Sequence, residues 1–84
     1  MDRAAIVALI EKHLPQLRGV PHDTPLHGGG LIDSFDYVTI IEALESELGI
    51  ALAPEELTDE NFLSVDTIAR FIESKCAQHG DRGA

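Results

Sequence analysis

Apolar residues recur at steps of three and four in three separate stretches of the chain. The first is Ile6, Leu9, Ile10 and Leu14 behind Asp2, the pattern of an amphipathic helix with an acidic N-cap. Pro15 disturbs that helix, and Gly19 with Pro21 ends it. The second stripe is Phe35, Val38, Ile41, Leu44 and Leu48, opened by Asp33 as N-cap and closed by Gly49 as a C-terminal glycine. The third is Val65, Ile68, Ala69, Ile72 and Cys76 behind a Ser64 cap, with Gly80 and the polar residues to Ala84 as its end.

The connections follow a different pattern. Between Val20 and Asp33 lie Pro21, Pro25 and Gly28-Gly29-Gly30, with Leu26, Leu31 and Ile32 placed to pin the segment to a core, which predicts a long ordered loop. Ile50 to Pro54 is too short and proline-bounded for another long helix, while Thr58 can cap a brief turn over Asp59 to Leu63. Nowhere do apolar and polar residues alternate over a strand length. The expectation is all-α: a small four-helix bundle of three main helices plus one short helix, with a long loop between helices 1 and 2. Residues 1–84 form a single domain with a core over about 2–78 and a polar tail over 79–84.

Size and charge narrow what such a domain can do. At 84 residues the chain buries roughly 60% of its unfolded surface, and the same few apolar side chains cannot build both a core and a deep water-excluding cleft. The formal charge is −9, and residues 19–69 contain no Lys or Arg while holding eleven of the fifteen acids. Nucleic acid is therefore excluded as a partner, because phosphate contacts need clustered cations. Crowding of the acids predicts carboxylates that hold protons more tightly in the folded chain, so that stability falls as pH rises. One cysteine precludes an internal disulfide; no apolar run approaches a membrane span, no signal-peptide layout is present, and a cytoplasmic monomer is expected.

Several chemistries fail on their residues. His22 with His27 and Cys76 with His79 make two half-sets of metal ligands, one in a loop and one at the C-terminal end, so no metal site is expected. The triple glycine lacks the Gly-Lys-Ser/Thr ending of a nucleotide-binding loop. Ser34 has His27 seven residues back, but Ile32-Asp33-Ser34-Phe35-Asp36 is not the G-x-S-x-G elbow of hydrolases, and its carboxylates oppose an oxyanion. No catalytic residue is assigned.

What remains is Gly30-Leu31-Ile32-Asp33-Ser34-Phe35-Asp36 at the start of an acidic helix in a helix-loop-helix setting. It resembles the attachment site of the acyl and peptidyl carrier proteins, in which an Asp-Ser-Leu triplet opens the second helix. Leu48-Gly49-Ile50, Pro54-Glu55-Glu56-Leu57-Thr58, Glu60-Asn61-Phe62 and Ser64-Val65 are similar to the second half of that family, and the resemblance covers most of residues 4–76. Phe35 replaces the usual leucine, Thr39 stands where many acyl carriers have an acid, and Gly28-Gly29 occupy a loop that is often acidic or apolar in the family.

The resemblance implies a non-catalytic carrier. Ser34 would bear a 4'-phosphopantetheine arm donated by coenzyme A, and acyl or aminoacyl cargo would ride on its thiol as a thioester. Implied partners are a phosphopantetheinyl transferase, acyl- or aminoacyl-loading enzymes, and downstream synthases of fatty-acid, polyketide or nonribosomal-peptide type with basic docking patches. The docking residues it points to are Asp33, Phe35, Asp36, Val38, Glu42 and Glu45. An unmodified acidic helical interaction domain is the alternative; it accounts for size and acidity and gives no reason for Asp33-Ser34-Phe35 at a helix start. The cargo stays open.

Overall fold

Each helix begins where a short polar side chain can satisfy its free amides. Asp2 caps α1 (Arg3–His13), its carboxylate accepting the Ala5 N–H at 2.9 Å. Helix α1 stops at His13, two residues before Pro15, and a single 3-10 turn at Pro15–Leu17 follows. Asp33 caps α2 (Ser34–Leu48), which closes at Gly49 in the left-handed conformation (φ +66°), with the Gly49 N–H donating to the Glu45 carbonyl at 3.0 Å. Ser64 and Thr67 cap α3 (Val65–Gly83) reciprocally: the Ser64 N–H donates to Thr67 Oγ1 at 2.9 Å and the Thr67 N–H to Ser64 Oγ at 3.2 Å. These elements come from a computed structural model that describes residues 2–83, with side chains described for 2–77.

The chain is all-helical, with three α-helices, two 3-10 turns and no strand among the described residues. Helix α3 runs past Gly80, the residue at which the sequence predicts its end; a glycine inside a helix costs only about 1 kcal/mol relative to alanine. Between α2 and α3 there is no short α-helix. A 3-10 turn at Pro54–Glu56 is followed by one hydrogen-bonded turn, from the Phe62 N–H to the Thr58 carbonyl at 3.1 Å. Side chains take over the bonding there: Thr58 Oγ1 accepts the Asn61 N–H at 3.1 Å, and Asn61 Nδ2 donates to the Glu56 carbonyl at 2.9 Å.

Helix α1 packs against α3 and α2. The core joins Ile6, Leu9 and Ile10 of α1 to Ile40 and Leu44 of α2 and to Val65, Ile68, Ala69 and Ile72 of α3. Leu17, Leu26, Ile50, Leu52 and Phe62 close it from the connections. Residues 18–33 carry neither helix nor strand, yet they are held: Leu26 is fully buried, its N–H donates to the Leu63 carbonyl, and the His22 carbonyl accepts the Asp66 N–H, both at 2.8 Å.

The α2 stripe divides between two faces. Phe35 and Val38 share the helical period with Ile41, Leu44 and Leu48, but both are exposed, and the buried residues of α2 are Ile40, Ala43 and Leu44 with Tyr37, Ile41 and Leu48 at the margin. Two apolar registers overlap on this helix, and periodicity alone does not say which one faces the core.

Candidate functional site

The site is built at the N-terminus of α2. Asp33 Oδ1 accepts the Asp36 N–H at 2.9 Å and Asp36 Oδ2 accepts the Asp33 N–H at 3.2 Å, a reciprocal box that turns both carboxylates onto the backbone. Gln16 braces the box from the first 3-10 turn, its Nε2 donating to Asp36 Oδ2 and to the Leu31 carbonyl, each at 3.3 Å. Gly30 precedes it at φ +74°, and a Cβ there would meet nothing within 4 Å, so the left-handed backbone rather than space calls for glycine.

Ser34, the first residue of the helix, is exposed. Tyr37 N–H reaches the Asp33 carbonyl and Asp36 N–H the Asp33 side chain, while among the described residues no acceptor is hydrogen-bonded to the N–H groups of Ser34 and Phe35. An anion held on Ser34 Oγ would lie beside these open donors and the positive end of a helix of 15 residues. Among the described residues no base is hydrogen-bonded to the hydroxyl; His27 is engaged with Tyr37 instead, its Nε2 2.7 Å from the phenol oxygen.

The chain has one Tyr and three Phe. His27, Tyr37, Phe62 and Phe71 form a ladder of rings linking the 18–33 segment, α2, the 57–62 segment and α3, with centroids 5.2, 6.3 and 6.1 Å apart in that order. The remaining aromatic, Phe35, stands 77% exposed next to Ser34, with Val38 one turn further along at 52%. Neither contributes to the core.

The acids singled out by the sequence divide into two kinds. Asp33 and Asp36 form the capping box, and Glu45 Oε2 accepts the Leu52 N–H at 2.9 Å, so these three hold the fold. Glu42 is exposed and, among the described residues, has no cation paired with it. The Lys and Arg side chains that do form ion pairs lie on α1 and α3: Arg3 with Glu73 at 3.0 Å, Lys12 with Glu47 at 3.8 Å, Arg70 with Asp66 at 3.1 Å and Lys75 with Glu56 at 2.6 Å.

Ring and hydroxyl chemistry define a second feature that sequence reasoning missed. Tyr37 Oη donates to the Phe62 carbonyl at 3.2 Å, which uses its single proton, so His27 Nε2 is the donor in the bond between them. Burial, with the charge of Asp59 adding to it, pushes the Tyr37 phenol above its ordinary value and keeps it a donor. These residues edge a pocket of about 230 Å³ lined also by Ile41, Leu57, Thr58, Asp59 and Phe62. Its one anticipatory signal, aromatic and aliphatic residues on both sides of the α2–α3 connection, is indistinguishable in sequence from ordinary core.

His22 pairs with Glu11 at 3.6 Å, away from His27, and no group of three or more His, Cys, Asp or Glu among the described residues is arranged to hold a metal. Cys76 is partly buried against the core, and His79 lies outside the described side chains. No helix among the described residues is long and apolar enough to cross a membrane. Comparison with protein-family models and with curated proteins gives no match to this chain.

Proposed function

We propose that this chain is a carrier protein whose Ser34 is esterified by 4'-phosphopantetheine and whose arm delivers acyl or aminoacyl thioesters to separate enzymes. The observation that carries this reading is the pairing of an exposed serine in the first turn of a capped acidic helix with an exposed Phe35 beside it. An exposed aromatic next to an exposed nucleophile supports recognition by another protein, because a side chain of that size left in water contributes nothing to the fold. In the transfer, Ser34 Oγ attacks the β-phosphorus of coenzyme A, the pyrophosphate bond breaks, adenosine 3',5'-bisphosphate leaves and the serine proton passes to a base on the transferase. The phosphodiester so formed is favoured by the open amides of Ser34 and Phe35. The arm's thiol supplies the thioester chemistry, and this chain's residues position the arm.

In the four-helix layout of the carrier family, the 54–62 segment takes the place of the short helix and residues 18–33 that of the long loop. The docking set then centres on Phe35, Val38 and Glu42, with Asp33, Asp36 and Glu45 shaping the surface from below, and partners with basic patches on a phosphopantetheinyl transferase and loading enzymes are the complement. Incubation with coenzyme A and a promiscuous phosphopantetheinyl transferase should add the mass of one arm to the intact protein. An unchanged mass, with a second carrier modified in the same reaction, would leave the unmodified interaction domain as the better account.

A further inference from the structure

We propose that His27 is a positioning residue for arm transfer, forming with Tyr37 a side-chain clasp that closes the chain around Ser34; this rests on the carrier reading. His27 Nε2–H donates to Tyr37 Oη at 2.7 Å, and the two rings stack with centroids 5.2 Å apart. The clasp joins positions 27 and 37, so residues 28–36 form a closed loop with Ser34 inside it. Tyr37 passes the hold on in two directions. Its hydroxyl donates to the Phe62 carbonyl at 3.2 Å, and its N–H makes the first backbone bond of α2, to the Asp33 carbonyl at 3.0 Å. Fixing this side chain therefore restrains the turn that presents Ser34 and Phe35.

The upstream half of this loop needs a hold from outside. Gly28, Gly29 and Gly30 follow His27 directly; Gly28 and Gly30 stand at φ +75° and +74°, and no neighbour lies within 4 Å of where a Cβ of either would be. Consecutive glycines carry the largest backbone freedom a chain can have, and His27 is the last side chain before them. Gln16 braces the downstream half, at the Leu31 carbonyl and Asp36. With the clasp open, the glycine run can swing, and the residues it leads into stand beside the Ser34 hydroxyl. A transferase must meet Ser34 with the loop in one arrangement, so opening the clasp lowers the fraction of chains competent to bind. That fraction enters the apparent affinity and not the chemical step: it raises KM for this chain as substrate and leaves kcat alone.

The test measures arm transfer from coenzyme A by a promiscuous phosphopantetheinyl transferase over a range of carrier concentrations. His27 is exposed, and His27→Phe keeps a ring for Tyr37 to stack on while removing the donor. It should raise KM about two- to fivefold, the range of one neutral hydrogen bond partly open to water, at unchanged kcat. His27→Gln restores an N–H donor and should return KM to the wild-type value. Tyr37→Phe removes the acceptor and should raise KM at least as much as His27→Phe; adding His27→Phe to it should change nothing further, because the two side chains act as one clasp. Backbone order parameters of Gly28, Gly29 and Gly30 in the unmodified protein should fall in His27→Phe and recover in His27→Gln. An unchanged KM or unchanged glycine order parameters in His27→Phe, a loss confined to kcat, no rescue by His27→Gln, or additive effects of the two Phe variants overturns the inference and leaves the carrier reading intact, since the arm is still gained. Wild type that gains no arm, with a second carrier modified in the same reaction, removes the carrier reading, and the inference falls with it.

Discussion

Individual residues in this chain are assigned their roles by where their hydrogen bonds go. Asp33, Asp36, Glu42 and Glu45 are equivalent by composition and all lie on or beside one helix, yet three of them bond backbone amides, whereas Glu42 is exposed and has no paired cation among the described residues. Sequence made the capping role of Asp33 legible, because an acid before an apolar stripe is an N-cap signal; the Glu45 bond to Leu52 depends on how the chain turns after Gly49 and leaves no local trace. Glu47 shows the same dependence with a titration consequence. A hydrogen bond from His13 is the main cause that holds its carboxyl below the ordinary range; partial desolvation opposes it, and the charges of Lys12 and His13 add. This runs opposite to the rise that acid crowding predicts, because the partner comes from α1. A carboxyl lowered by folding stabilises the fold above its unfolded value and loses that stabilisation as pH falls through the folded one. Melting temperature should therefore drop more steeply for wild type than for Glu47→Gln on acidification below about pH 5. Parallel curves would mean that this pair does not contribute.

At the scale of elements, caps and stripes located the three helices and the buried faces of α1 and α3, and only on α2 does packing select a different set. Ile40 and Ala43 are the buried counterparts of Leu44, while Ile41 and Leu48 lie at the margin and Phe35 and Val38, expected on the docking face, are exposed, since α1 packs against α2 on the Ile40 side. The 54–63 connection was legible as a Thr58-capped turn and not as a 3-10 turn, because the Asn61 bond to the Glu56 carbonyl that shapes it joins two parts of the segment through a side chain. The α3 cap gives the clearest element-level prediction. Ser64 is buried and exchanges hydrogen bonds with Thr67. Ser64→Ala removes the acceptor for the Thr67 N–H and should cost about 1 kcal/mol, a fall in melting temperature of about 4–8 °C for a domain of this size. A melting temperature unchanged within 1 °C of wild type, on the order of measurement error, would show that the helix start is held by packing alone.

Across the whole molecule, charge is sorted by face. The described cations that form ion pairs sit on α1 and α3, and α2 with its flanking segments presents acids around Ser34, Phe35 and Val38. The gap in Lys and Arg from residue 19 to 69 announces this segregation in the sequence; Phe35, expected on the docking face from the resemblance, is exposed, while the other three aromatics fill the ring ladder. Exposed charges of this kind set encounter rate more than fold stability. Glu42→Lys should slow arm transfer several-fold at low salt while leaving the melting temperature at that of wild type, and the difference should shrink as the Debye length contracts to about 8 Å at 0.15 M salt. Equal transfer rates at low salt would reduce the acidic helix to a solvated surface. The central claim is narrower than docking: one serine, at the first turn of α2, carries the arm. Fragment-ion mapping of the protein after treatment with coenzyme A and transferase, alongside Ser34→Ala of unchanged melting temperature, tests it most directly. The account predicts a single arm on Ser34 and none on Ser34→Ala; an arm on Ser46, Ser64 or Ser74, or on the Ser34→Ala protein, would contradict it.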